Sequence, residues 1–291
     1  MQNQYQEMVQ QHSNNKYDQE MINQQNQKQP DETNQQYNQS QIQQQKDNNQ
    51  SQQHDQRINT QEHENKSHKR YMFNEPDLPD VVGDSQIREK RQPYTFKSGA
   101  IYEGYWKGQL RDGYGVQSWP DGARYEGEWL NNKAHGNGKF YHVDGDVFEG
   151  QWEFDKANGY GKYLHVNGAK YEGYWKDDLQ HGWGVESWND GSEYKGNYVH
   201  GRKQGKGTYT WSDGSKYEGD WENNKICGKG KYTWADGRQY EGEWFNNNMH
   251  GKGIYTWKDG RKYEGDYYND KKHGFGVYRW ADGRKYEGEQ Q

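Results

Sequence analysis

Residues 240–262 read Tyr240-Glu241-Gly242-Glu243-Trp244, a polar stretch Phe245-Asn246-Asn247-Asn248-Met249-His250, then Gly251-Lys252-Gly253-Ile254-Tyr255-Thr256-Trp257 and Lys258-Asp259-Gly260-Arg261-Lys262. Apolar residues alternate with polar ones and nothing has helical spacing, which predicts two short strands and two loops. The Tyr-Glu-Gly opening or a close variant returns at residues 102, 125, 148, 171, 194, 217, 263 and 286, always 23 residues on, with no insertion or deletion. A fixed period of this size marks an array whose units bury their apolar faces against one another, so no unit folds alone.

Taking Tyr240 as position 1, Pro120 occupies the position just before Asp-Gly in the first unit. Pro suits the second residue of a type I turn and Gly the left-handed residue after it, which favours a three-residue hairpin loop with a bulge at Gly. That loop sets position 16 opposite position 1 of the next unit, Tyr232 facing Tyr240 and Tyr255 facing Tyr263. It also sets Lys206 against Asp220, Lys229 against Glu243, Lys252 against Asp266, Lys139 against Glu149, Lys162 against Glu172 and Lys231 against Glu241. Each opposed pair is favourable by roughly 0.2–1 kcal/mol. A slip of one residue would put these lysines opposite glycine or a ring.

One face then carries positions 1, 3, 5, 12, 14, 16 and 18, aromatic and glycine in alternation, and is the expected core. Glycines at 3, 12 and 14 are expected to leave room for neighbouring rings such as Trp221, Tyr232 and Trp234, while Gly at 21 supplies positive φ.

Residues 1–66 hold 33 Gln or Asn and almost no aliphatic clusters. They cannot bury enough apolar surface to offset the entropy of ordering and are expected to form a disordered tail. Residues 67–92, with Pro76, Pro79, Tyr71, Met72, Phe73, Leu78, Val81 and Val82, read as a linker or capping strap. The array is expected over 93–291: a half-repeat at 94–101, eight full repeats over 102–285 and a half-repeat at 286–291, together 18 strands, with Pro93 in the first of them. The fold class is all-β, an elongated antiparallel sheet of tandem β-hairpins on the order of 80–90 Å long.

Charge is mild: 38 Lys or Arg against 44 Asp or Glu. Without a basic footprint no nucleic-acid partner is expected. One cysteine, Cys227, precludes an intrachain disulfide, and the lack of a leader or an 18-residue apolar run reads as a cytoplasmic protein.

Tyr-Glu-Gly-x-Trp, followed by His-Gly-x-Gly and later Asp-Gly, resembles the MORN (membrane occupation and recognition nexus) repeat over about residues 94–291. The resemblance implies an elongated β-sheet groove that organises partners on cytoskeletal or ciliary structures, sometimes near phosphoinositide membranes. Departures are Phe148 at position 1, Lys195 at position 2, Tyr198 and Tyr267 at position 5, and His142 and His165 at position 18.

No metal, cofactor or catalytic site is expected. His135, His181, His250 and His273 recur at position 11, but equivalent residues of adjacent units lie about 10 Å apart, too far to share an ion bound at roughly 2 Å. Gly251-Lys252-Gly253 leads into a strand, whereas a phosphate cradle opens a helix. The carboxylate row that includes Glu241 and Glu264 is periodic and partly paired with lysines, unlike a glycosidase dyad. The expected function is a non-catalytic scaffold for a protein partner, the alternative a module near acidic membrane lipids. Opposite the core, Tyr105, Tyr114 and Val116 in unit one and Tyr174, Trp183 and Val185 in unit four, with Tyr160 beside Tyr174, form the candidate partner surface, unless the strap covers them. The unpaired edge at Tyr286, Glu287, Gly288 and Glu289 is a candidate for self-association as a homodimer.

Overall fold

The computed structural model describes residues 75, 77, 78 and 86–290; the expected disordered tail at 1–66 lies outside them. Among the described residues there are 19 strands in one antiparallel sheet and no helix, one strand more than the repeat count. The additional strand is β1 (Arg88–Lys90), which comes from the segment read as a strap. It pairs with β3 (Ile101–Lys107) beside β2 (Tyr94–Thr95), so two short strands cap that edge of β3. Pro93 lies just before β2, not in it. From β3 to β19 (Lys285–Gln290) each strand pairs with its sequence neighbours.

Unit seven shows how residues make the hairpin. β15 (Gln239–Phe245) and β16 (Asn248–Thr256) are joined by Asn246 and Asn247 alone, with φ of 50° and 70°. Two consecutive left-handed residues make the type I′ turn that matches strand twist, and Asn tolerates them. Most of the stretch read as a polar loop is therefore strand. The other connection has the expected form: Trp257 N–H donates to Arg261 O at 2.9 Å, Gly260 N–H donates to Trp257 O at 3.0 Å, and Gly260 has φ of 87°. Asp259 Oδ1 accepts from Arg261 N–H and closes the turn.

The register also agrees with the charge pattern. All six lysine–acid pairs stand directly opposite, and four of them close to between 2.6 and 3.6 Å.

The core is one face of a single sheet, and the rings lie along it. Tyr217, fully buried, lies over Gly219 and Gly230, where a Cβ would come within 2.5 Å of the tyrosine. Its hydroxyl donates to Asp220 O at 3.1 Å. The ring packs edge-on against Trp221 at 5.6 Å and against Trp244 of the next unit at 5.5 Å, a geometry favoured by the ring quadrupole. Trp244 in turn donates its indole N–H to Gly230 O at 3.2 Å. Position 12 works differently from the expectation. Gly251 does not make room for a ring; it has φ of 63° within a bulge, and its missing Cβ would meet Glu243.

Two features escaped the sequence reading. Position 10 faces the core and is its variable slot: Arg111, Ala134, Ala157, Gln180, Lys203, Ile226 and Met249 are all buried. Position 8 ties units together. Asn247 N–H donates to Ile226 O at 2.9 Å, and Asn247 Oδ1 accepts from Ile226 N–H at 2.7 Å. The same two-way clamp joins Asn132 to Arg111, Asp155 to Ala134, Asp178 to Ala157, Asn224 to Lys203 and Asp270 to Met249.

Candidate functional site

Positions 2, 4, 13, 15 and 17 alternate with the core positions and stand on the outer face. Side chains two apart on a strand are about 6.6 Å apart, so positions 2 and 15 form one rail along the array and positions 4 and 13 another, with a trough between them. In units one to three the trough is a groove of about 730 Å³, sided by Glu126, Lys139, Glu149 and Lys162 of one rail, with Tyr114 and Tyr160 of the other reaching across it.

Tyr105 (38% exposed), Tyr114 (52%), Tyr160 (39%), Tyr174 (52%) and Trp183 (49%) all present their rings outward. Val116 and Val185 are half-buried, because they sit deeper between paired neighbours on the other rail. Tyr160 and Tyr174 are directly opposed and pack edge-on at 5.5 Å. Tyr114 stands two units away from Tyr160, so the surface is a strip and not one cluster. β1 runs beside Tyr105, with Lys90 opposite it and Arg88 bound to Asp112 at 2.5 Å, and leaves that ring exposed.

The rail tyrosines are held in place by carboxylates. Tyr114 donates to Glu126 Oε1 and Tyr160 to Glu172 Oε1, each at 2.8 Å. These bonds raise the pKa of both phenols, and the bond from Tyr160, with Lys162 beside it, holds the Glu172 carboxyl below its usual range. Position 13 changes character along the chain: Tyr114, Asn137, Tyr160 and Trp183, then Lys206, Lys229 and Lys252, then Phe275. The lysine half lines a second groove of about 980 Å³ together with Ile254, Phe275 and Val277. Phe275, 56% exposed, was not singled out from the sequence, although its position-13 spacing from Tyr114 was there to find.

Three cations occupy the core slot at position 10. Arg111 lies 4.3 Å over Trp129 and is bound to Gln117 and Asn132; burial lowers its pKa to about 10. Gln117 also donates to buried Glu75, and Ser98 donates to the same carboxylate, so residue 75 is anchored on the core face of unit one and not over the outer aromatic strip. Lys203 pairs with Glu186 at 3.1 Å with both side chains at least 95% buried, and Tyr198 donates to the same Glu186 oxygen. Lys272 lies among Trp257, Tyr263 and Tyr278, and burial lowers its pKa to about 8. The visible signal was a pair of departures at position 16, Gln117 and Glu186, where most units have Tyr.

Of the position-11 histidines, His135 packs on Phe154, His250 on Phe245 and Tyr268, and His273 on Tyr268, while His181 lies against His200. At the far end Tyr286 is 50% exposed, Glu287 and Glu289 are exposed, Gly288 is half-buried, and β19 pairs with β18 (Lys271–Arg279) only, among the described residues.

A sheet of identical hairpins stacked through one aromatic face, with a variable strip opposite, defines a β-hairpin repeat protein. The family model of the MORN repeat matches residues 102–124, 125–147, 148–170, 171–193, 194–216, 217–237, 240–260 and 263–283, and the chain belongs to the MORN-repeat family. No curated protein matches it. Among solved structures it is similar to the TCP10 domain of Danio rerio CPAP, in complex with a peptide of Danio rerio STIL (11% identity, 70% of this chain and 84% of that one, TM-score 0.39) and alone (10%, 68% and 94%, 0.40). It is also similar to virginiamycin B lyase from Staphylococcus aureus (10%, 73% and 73%, 0.15). Overlap at these values reflects strands laid side by side and extends to neither partners nor chemistry. Among the described residues no helix is long and apolar enough to cross a membrane.

Proposed function

We propose that the array is a non-catalytic scaffold that docks a protein partner on the outer face of units one to four, at a cytoskeletal, ciliary or membrane-proximal site in the cytoplasm. The observation that carries this reading is the strip of five outward aromatic rings, each 38–52% exposed, on the outer face of units one, three and four. Exposed aromatic anchors beside polar groups are the make-up of binding hot spots. Tyr160→Ala with Trp183→Ala, in a chain whose melting temperature is unchanged, is expected to abolish co-purification of partners that wild type retains. An unchanged set of partners would refute this placement.

The lysines of units five to seven favour a second reading, a face that approaches acidic headgroups. It is opposed by Asp220 and Asp266, which pair with Lys206 and Lys252. Flotation with phosphoinositide vesicles checks it, salt-sensitive binding being required. Among the described residues β19 pairs on one side only, and its other side offers a further contact, pairing two copies through residues 286–289. Sedimentation of the full chain at micromolar concentrations tests this: a dimer lost on removal of 286–291 supports it, and a monomer throughout rejects it.

A further inference from the structure

The outer trough has a pitch, and pitch discriminates between the conformations a bound segment can adopt. One unit advances two strands, about 9.6 Å along the array. A polyproline II helix advances about 3.1 Å per residue with three residues per turn, so one turn is about 9.3 Å. The mismatch accumulates to only about 1 Å over four units. An extended strand repeats every two residues, about 6.6 Å, and after one unit its side chains are out of phase with the rail. An α-helix needs two turns, about 10.8 Å, to come back into phase, and its diameter of about 10–12 Å exceeds the spacing between the rails.

The chemistry of the rails points the same way. Tyr114, Tyr160 and Trp183 all stand at position 13, so they are separated by whole units. The two tyrosine hydroxyls donate to Glu126 and Glu172 on the opposite rail, which lays the rings across the trough as ribs. Glu149 is paired with Lys139 at 3.3 Å, Glu172 with Lys162 at 3.2 Å and Glu126 with Arg124 at 2.8 Å, so the charges there are largely paired and the trough has no basic row to offer a strongly acidic peptide. A polyproline II segment is uncharged along its spine, pre-ordered, and leaves its carbonyls open to donors. The outward indole of Trp183, half exposed one unit beyond Tyr160 on the same rail, brings one such donor.

We propose that the outer trough of units one to four binds a polyproline II segment of the protein partner, lying along the array with prolines or apolar residues spaced three apart between the rings of Tyr114, Tyr160 and Trp183. This inference rests on the docking reading above and narrows it to one class of ligand. The probe is a random dodecapeptide library displayed on phage and selected against the immobilised full chain. Enriched peptides are expected to carry Pro or apolar residues at i, i+3 and i+6. Their affinity is expected to fall at least tenfold on Tyr160→Ala with Trp183→Ala and to stay within twofold on Phe275→Ala, which sits on the same rail in unit eight. Enrichment of alternating, two-residue patterns that still depend on Tyr160 and Trp183 would overturn the polyproline class and leave the docking surface standing. Peptides indifferent to those two residues, or no enrichment at all, would overturn the inference. Circular dichroism melts of both variants, equal to wild type, keep loss of fold out of the comparison.

Discussion

Single residues show where this architecture tolerates charge. Lys203 and Glu186 are buried together, and removing one partner of such a pair leaves the other charge buried and uncompensated. Glu186→Gln is expected to cost about 3 kcal/mol, read by urea unfolding, because it strands Lys203 among Trp188, Tyr194 and Tyr198. Lys203→Met with Glu186→Tyr installs the residues that stand at the same spacing in Met249 and Tyr232, and is expected to match or exceed wild type. Asp270 poses the opposite case. Burial raises its carboxyl to about 6 even though Met249 N–H donates to it. The folded state thus holds the proton more tightly than the unfolded chain, so this group favours folding most below pH 3.8, and that contribution is lost as pH rises through about 6. Asp270→Asn, the residue that units two, six and seven use for the same clamp, is expected to stabilise by about 1 kcal/mol at pH 7. The gain should vanish near pH 3.5, and melts at the two pH values check it.

At the scale of the hairpin, packing and turn chemistry can be separated. Gly253→Ala would push a methyl to within 2.4 Å of the Tyr240 ring, which is trapped between Trp244 and Tyr267. The expected cost is about 2–3 kcal/mol in denaturant unfolding, since a buried ring hydrogen-bonded at its far end has nowhere to move. Asn247→Ala acts on the link between hairpins, leaving Ile226 N–H without its acceptor, and is expected to cost about 1 kcal/mol. Hydrogen exchange at Ile226 should quicken more than exchange inside either strand of its own hairpin. These two positions also mark how legible the element was. The three-residue loop and the cross-strand register followed from Pro120, Asp-Gly and the lysine–acid pattern. The Asn246-Asn247 turn did not, because a run of three asparagines reads as loop until strand pairing shows that only two residues lie outside the ladder.

Across the whole array, stability is a sum of units and their interfaces. Deleting residues 217–239 removes one complete period and leaves Lys206 opposite Glu243, Tyr209 opposite Tyr240, and Lys203 facing Asn247 for its clamp. Such a chain is expected to fold with the same β-sheet circular dichroism and a smaller denaturant m-value. Deleting 217–238 instead shifts the remaining units by one residue and turns each aromatic row to the opposite face, so that chain is expected to aggregate or remain unfolded. Solubility and circular dichroism of the pair separate these outcomes.

The amino-acid order alone determined the repeat, its register, its aromatic face and the outer position of Tyr105, Tyr114, Tyr160, Tyr174 and Trp183, since each follows from a period of 23 read through the two-residue alternation of a strand. Tertiary structure decided what alternation cannot express. The two-residue turn at Asn246-Asn247 carries β16 back to Asn248, so position 10 lies in the ladder opposite position 5 and faces the core, which buries Arg111 and Lys203 and half-buries Lys272. The added strand Arg88–Lys90 and the burial of Glu75 rest on contacts with unit one that no local pattern carries, because a three-residue strand and a single carboxylate take their structure from the surface they meet.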